Sequence, residues 1–360
     1  MCLSMTPERV RRAADTMLGM IATRILRRPR VLIVGCGDVG LRALPLLRSR
    51  AVAPRVIALT HHPERAAELR AAGAVPIAGD LDARRSLRRL AGIARHARRV
   101  MHLAPPQREG DTDRRTRALL AALRAPRRSV ARGAQTAVAS HRAWRAASFI
   151  VPDAPFGATS RGAPLRFVYA STTGVYGDCG GALIDETRPA RPENERARRR
   201  VSAEQQLRRV GARSGWRVSI VRIPGIYAEN RLPIARIERA MPALIERDDV
   251  YTNHIHADDL AAILVRALGR GRPQRAINAS DDTDLRMADY FDRVADAYGL
   301  PRVPRITRKE AEARLEPVTL SFMRESRRLS NTRMKRELRY ALRHPTVDDF
   351  LRSRARTTGR

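Results

Sequence analysis

Lysine is almost missing from this 360-residue chain: Lys309 and Lys335 are the only two. Any chemistry that needs a lysine ammonium in the first 308 residues is therefore excluded. Aromatic residues amount to 4%, too few for the stacking platforms that hold single-stranded nucleic acid. Cysteine is scarce as well. Cys2, Cys36 and Cys179 are an odd count without metal-ligand spacing, which excludes a disulfide framework and a cysteine metal site and fits reduced thiols in a cytoplasmic protein. No apolar run approaches membrane-spanning length. In the basic segment 1–29, the longest apolar piece (residues 17–22) is too short for a signal-peptide core, so this segment is expected to be a disordered extension outside the fold, and residues 353–360 a basic tail.

Charge of one sign is also in short supply. Seventy Lys and Arg face 37 Asp and Glu, a formal net charge of +33. The arginines are spread over nearly the whole chain and form no patch or stripe. Weak, salt-sensitive attraction to polyanions is expected, and no specific nucleic-acid site.

What is present begins at Val31-Leu32-Ile33-Val34, an apolar, β-branched run that reads as a parallel strand buried on both faces. It runs straight into G-x-G-x-x-G, with Gly35, Gly37 and Gly40 in the three slots. Gly35 permits the tight turn, Gly37 lets the backbone approach a pyrophosphate, and Gly40 lets the next helix pack close to the strand. The amides of Asp38, Val39 and Gly40 open that helix and face the phosphates. A dinucleotide site follows. The helix should reach about Arg48, with a kink or early end at Pro45, which lacks a backbone donor. Cys36 reads as a small packing residue.

The next strand, 56–59, ends in Thr60-His61-His62, where a dinucleotide fold places an acid on the adenosine ribose. None is present, and Glu64 belongs to the following helix start. With His61 and Arg65 here a 2′-phosphate is not repelled, so NADP is favoured over NAD. A helix (63–72), strands at 74–78 and 100–103, a helix at 114–123, a strand at 166–170, a helix at 196–210 and a strand at 217–222 continue the alternation. Such alternation implies an α/β fold: a Rossmann-type, doubly wound parallel sheet with a smaller C-terminal substrate-binding portion. The expected division is a dinucleotide-binding domain at 30–228 and a substrate-binding portion at 229–352, with 250–280 returning to the first domain. An arginine-rich insertion at about 124–164 carries Trp144 and Phe149, which are expected to pin it down. Asp258 and Asp259 read as the first turn of a helix and not as a carboxylate pair for catalysis. A strand at 276–279, a helix at 287–298 and a closing basic helix at about 331–342 complete the reading.

Several motifs then resemble, in order, the short-chain dehydrogenase/reductase superfamily in its extended NAD-dependent epimerase/dehydratase form, closest to an atypical branch. The resemblance covers about residues 30–352. Gly79-Asp80-Leu81 is similar to the family's adenine-contacting pair, which gives Asp80 and Leu81. Ala104 falls where the family chain passes beneath the cofactor. Ser171-Thr172-Thr173-Gly174-Val175-Tyr176-Gly177 resembles the strand tip with the catalytic Ser/Thr, hence Thr172. Arg222-Ile223-Pro224-Gly225 resembles the segment that meets the nicotinamide, hence Pro224.

The resemblance breaks at the catalytic pair. The family uses Tyr-x-x-x-Lys with a Glu four residues on; Glu204 fits that Glu, which leaves Arg200 in the Lys slot and Arg196 in the Tyr slot. A phenol titrates near 10, so the family's Tyr needs a shift of roughly three units, about 4 kcal/mol, from its neighbouring Lys. Arg200 can supply charge and a ribose hydrogen bond, but Arg196 cannot shuttle a proton. Tyr176 is the nearest phenol beyond Thr172, with packing of the strand tip as its other reading; His254 and His256 titrate in a suitable range but fall in a structural stretch. The candidate catalytic set is therefore Thr172, Tyr176, Arg196 and Arg200, with no metal. The resemblance implies NADP or NAD as cofactor, a nucleotide-sugar-like or other hydroxyl substrate and no membrane partner, and it allows a homodimer. Two classes stay open: an oxidoreductase or epimerase-like enzyme with a non-standard acid/base, and a catalytically degenerate dinucleotide-binding sensor or scaffold.

Overall fold

The computed structural model describes residues 28–94, 97–124 and 163–358. The basic N-terminal segment and most of the arginine-rich insertion, with Trp144 and Phe149, lie outside the described residues.

Seven strands make the central sheet: β1 (Arg30–Val34), β2 (Arg55–Thr60), β3 (Val75–Ala78), β4 (Arg99–His102), β5 (Arg166–Thr172), β6 (Arg217–Ile223) and β7 (Arg275–Asn278). Their order is β7-β6-β5-β4-β1-β2-β3, and every pairing is parallel. Parallel neighbours need long crossovers, supplied here by α1 (Asp38–Arg48), α2 (Ala66–Ala71), α3 (Leu90–Ala94), α4 (Arg114–Arg124), α5 (Glu195–Ser214) and α6 (Ala257–Arg270). The direction of winding reverses between β1 and β4, which opens a crevice at the carboxyl ends of the strands.

The apolar run of β1 explains the layering. Successive side chains point to opposite faces. Val31 and Ile33 share a core with Ala43, Leu44 and Leu47 of α1 and with Leu260 and Leu264 of α6. Leu32 and Val34 share the other core with Leu119 and Leu120 of α4 and with Ala203 and Leu207 of α5. A third core joins Tyr227 and Ile237 to α7 (Met287–Tyr298), through Phe291 and Val294, and to Phe350 and Leu351. Leu183–Ile184 pairs with Arg328–Leu329 and so ties the C-terminal portion to the loop beyond β5.

Two expectations need correction. The first concerns Pro45, which neither breaks nor ends α1; the helix runs through it to Arg48. Pro45 lies on the exposed side, where the carbonyl it leaves without a donor can meet water, while Ala43, Leu44 and Leu47 anchor the same turns in the core. The second concerns the chain's end. The helix expected at 331–342 is only α8 (Thr332–Leu338), and the closing helix is α9 (Val347–Thr358), which takes in most of the expected tail. Arg339 is left-handed (φ +49°) and stops α8, at a cost of roughly 1–2 kcal/mol. The turn brings the next segment onto Asp259, which is fully buried and accepts hydrogen bonds from the Tyr340 hydroxyl (2.5 Å), the Arg343 amide (2.8 Å) and the His344 amide (3.0 Å).

Asp259→Ala leaves three donors without a partner, and a loss of about 3 kcal/mol is expected, read from the urea unfolding midpoint at unchanged slope. A loss below about 1 kcal/mol would mean that the segment is held by packing alone.

Candidate functional site

The three glycines meet three different surroundings. Gly35 is left-handed (φ +83°), and a Cβ there would lie 2.6 Å from the Ala104 amide nitrogen, so only glycine lets β1 turn against the end of β4. A Cβ on Gly40 would sit 3.0 Å from Cys36 Sγ and 3.5 Å from a Leu103 methyl. Around Gly37 a Cβ would meet nothing within 4 Å. Among the described residues none fills the space a side chain would take at this glycine, which stands at the N-terminus of α1, a helix start without a side-chain cap. Free amides at a helix start favour an anion. Asp38 opens the helix with its carboxylate already matched by Arg42 (3.0 Å) and Arg231 (2.8 Å). Cys36 is buried, and burial pushes its thiol up to about 11, as expected of a packing residue.

At the end of β2, the exposed His61 ring lies against His62, centroids 3.8 Å apart. His62 Nδ1 is 2.7 Å from Glu64 Oε1. Arg65 donates to the Cys36 carbonyl (3.1 Å) and to both oxygens of Glu68 (2.8 Å each), which places its guanidinium against the glycine loop. Beyond β3, Asp80 Oδ1 accepts the Asp82 amide at 2.9 Å. Leu81 is 8% exposed and lines a cavity of about 440 Å³ together with Asp82, Arg84, Gln107, Arg114, Arg117 and Ala118. This cavity lies between the β3 end and α4.

Thr172 ends β5, its Oγ1 accepting the Gly174 amide at 3.3 Å. Arg196 and Arg200 come from the first turns of α5. That helix begins at Asn194, whose side chain accepts the Ala197 amide (2.9 Å); the sequence reading missed this cap. Arg200 Nη1 donates to the Ala170 carbonyl (2.6 Å) and the Tyr169 hydroxyl (3.2 Å), so it lies along the strand that carries Thr172. Arg196 is exposed at the start of α5; desolvation lowers its pKa, partly offset by the charge of Glu325. Pro224 follows β6 and is partly exposed. The glycine loop, His61, Asp80, Ala104, Thr172 and Pro224 thus all follow carboxyl ends of parallel strands, along one edge of the sheet.

Other candidates are placed elsewhere. Tyr176 is 1% exposed, donates to Asn278 Oδ1 (2.7 Å) and lies under the Arg222 guanidinium (4.7 Å to the ring centre). Burial raises its pKa. His254 is buried against Tyr290 (4.0 Å), and burial lowers it to about 3; His256 caps α6 and is lowered to about 4. Asp258 pairs with Arg42 (2.6 Å). Glu325 and Arg327, which no sequence pattern singled out, do reach the site: Glu325 accepts from Asn194 Nδ2 (3.0 Å) and Arg327 Nη1 (2.8 Å).

Beneath this edge lies a buried polar network. Glu204 accepts from Ser171 Oγ (2.7 Å) and from Arg222 Nε (3.1 Å) and Nη2 (2.8 Å). The two charged side chains are 6% and 4% exposed. Burial works against the Arg222 charge, but the Glu204 bonds outweigh it and the pKa is raised. Removing one partner strands the other charge, so Glu204→Ala is expected to cost about 3–5 kcal/mol in denaturant unfolding. A cost under about 1 kcal/mol would show that water replaces the carboxylate.

The fold has counterparts. A model of the NAD dependent epimerase/dehydratase family matches residues 31–280. A functionally unknown conserved protein from Silicibacter pomeroyi superposes with a TM-score of 0.67 at 24% identity, over 92% of this chain and 100% of that one. UDP-glucose 4-epimerase from Thermotoga maritima, solved with UDP-glucose, superposes at 0.64 with 15% identity, over 92% and 100% of the two chains. RMD from Pseudomonas aeruginosa complexed with NADPH superposes at 0.58 with 18% identity, over 90% and 97%. No protein of curated function matches the chain.

Proposed function

Because the chain belongs to the NAD dependent epimerase/dehydratase family, we propose that it holds a nicotinamide dinucleotide along the carboxyl edge of β1–β4 and exchanges a hydride with a hydroxyl-bearing small molecule. The observation that carries this reading is the clear space around Gly37 at an uncapped helix start. A pyrophosphate fits there, on the amides of Asp38, Val39 and Gly40. Gly35 and Ala104 shape the floor. Asp80 and Leu81 hold the adenine end, next to the cavity of about 440 Å³. The Pro224 segment backs the nicotinamide, which when bound gives or takes the hydride. Thr172 orients the reacting oxygen. Arg200, lying on β5, adds positive charge, and Arg196 faces the substrate, where it clamps an anionic group. The UDP-glucose bound to the Thermotoga enzyme supports a nucleotide-sugar-like substrate.

Gly37→Val fills the clear space with a side chain. It is expected to weaken NAD(P) binding by at least about 1.5–3 kcal/mol, the worth of one charge-assisted hydrogen bond, in a calorimetric titration. Unchanged affinity would refute the placement of the dinucleotide.

The end of β2 favours NADP over NAD. Its nearest acid, Glu64, is tied to His62, whereas His61 and Arg65 are neutral or positive toward a 2′-phosphate. His61→Asp adds a like charge and is expected to shift the preference toward NAD by about tenfold, or 1.4 kcal/mol. Parallel titrations in which the unmodified protein already binds NAD more tightly would overturn this preference.

A further inference from the structure

With Arg196 where the family's tyrosine stands, the proposed reaction lacks a proton carrier, since a guanidinium stays protonated. Tyr176 is committed to Asn278, and Tyr169 is fully buried beside Arg200. His254 and His256 are buried and neutral under the C-terminal portion. Glu204 is taken up by Arg222, and Glu186 by the Asn278 amide and Arg333.

Glu325 is different. Its side chain is 10% exposed and arrives from the segment between Pro317–Phe322 and Arg328–Leu329, far in sequence from β5 and α5. Its Oε2 lies 3.8 Å from the point that a Cβ on Gly174 would occupy, and Thr172 Oγ1 lies 3.8 Å from the same point. Asn194 Nδ2 holds Oε1, and Arg327 Nη1 holds Oε2 while also donating to the Gly177 carbonyl (2.8 Å). Those two bonds fix the carboxylate's position and leave further lone pairs on each oxygen. The charge of Glu325 is felt by Arg196, so a carboxylate stands near the guanidinium that takes the family's tyrosine slot in the sequence register.

Resting on the functional reading above, we propose that Glu325 is the proton-exchanging group of this site, positioned by Asn194 and Arg327. In the oxidising direction the substrate O–H bond breaks and its proton passes to a Glu325 oxygen, turning the carboxylate into a carboxylic acid. The electron pair left on oxygen forms the C=O bond as the carbon's C–H bond breaks, its hydride passing to the oxidised nicotinamide dinucleotide. Reduction runs the same steps backwards, Glu325 returning the proton. Arg196 stays charged throughout.

The test compares the full-length protein with Glu325→Gln and Glu325→Asp in three measurements. These are calorimetric binding of NADH and NADPH, urea unfolding, and formation of reduced dinucleotide from NAD or NADP with a panel of nucleotide sugars, free hexoses and simple secondary alcohols. Glu325→Gln keeps one oxygen for its two donors, so it is expected to bind the dinucleotides within about twofold of the unmodified protein and to stay folded at the assay temperature, with an unfolding midpoint lowered by the unmatched Arg327 charge. Its turnover should fall by about 100-fold or more, the usual share of general acid–base catalysis. The unmodified protein's turnover should rise with pH through one ionisation, a limb that Glu325→Asp keeps and Glu325→Gln loses. Turnover in Glu325→Gln within about tenfold of the unmodified protein would overturn the assignment. So would loss of turnover together with loss of dinucleotide binding or of the folded state at the assay temperature, which is the mark of a structural residue. An unmodified protein that binds the dinucleotide but oxidises no panel member overturns it too. If the unmodified protein binds neither dinucleotide, the functional reading itself fails, a result distinct from all of these.

Discussion

The ion pair between Glu204 and Arg222 holds the working edge of this protein together. It joins α5 to β6, and through Ser171 to β5, in a setting where both charges are almost fully out of water. Burying two ions is costly unless each is matched and its remaining lone pairs and protons are satisfied. Glu204 meets that condition with three donors; Arg222 meets it in part, with its guanidinium over the face of Tyr176 and its Nη1 buried without a hydrogen-bond partner among the described residues. The pair fixes how α5 lies on the sheet. It therefore fixes where Arg196, Arg200 and the Asn194 cap stand relative to Thr172. Tyr176 and Asn278 extend the same network to β7, so the loop beyond β5 is anchored from below.

The positive charge that dominates the composition is used in an unexpected way. Many arginines donate to main-chain carbonyls across long stretches of sequence: Arg199 to Gly110, Arg208 to Gln274, Arg266 to Arg339, Arg308 to Asp248 and Arg333 to Ala276. A guanidinium has five N–H donors and a long apolar stem, so it can satisfy orphan carbonyls at helix and strand ends that a short side chain could not reach. In this chain arginine does much of the work of fastening loops to the core.

The site divides into a rigid half and an assembled half. The glycine loop, Ala104 and the ends of β2 and β3 are set by the sheet and its crossovers, within short reach of one another along the chain. The Thr172 half is assembled from β5, the start of α5 and the segment at Glu325–Arg327, held by hydrogen bonds that span 131 and 150 residues. The pairing of Leu183–Ile184 with Arg328–Leu329 brings that last segment into place.

Local pattern was enough for the first half. The apolar run of β1, the three glycine slots and the strand–helix alternation are short-range signals, because strand period, helix period and turn sterics act over a few residues. They located the doubly wound parallel sheet, with the glycine turn at the end of its first strand. Local pattern failed wherever packing overrides propensity. Pro45 stays within α1 because its buried neighbours hold the turn, and α8 stops at Arg339 because Asp259, some 80 residues earlier, captures the next segment. Nothing near Asn194 or Glu325 in sequence shows that they meet, and nothing near Tyr176 marks its hydroxyl as bound to Asn278. Such contacts join side chains from distant elements, so their geometry is decided only when the whole core closes.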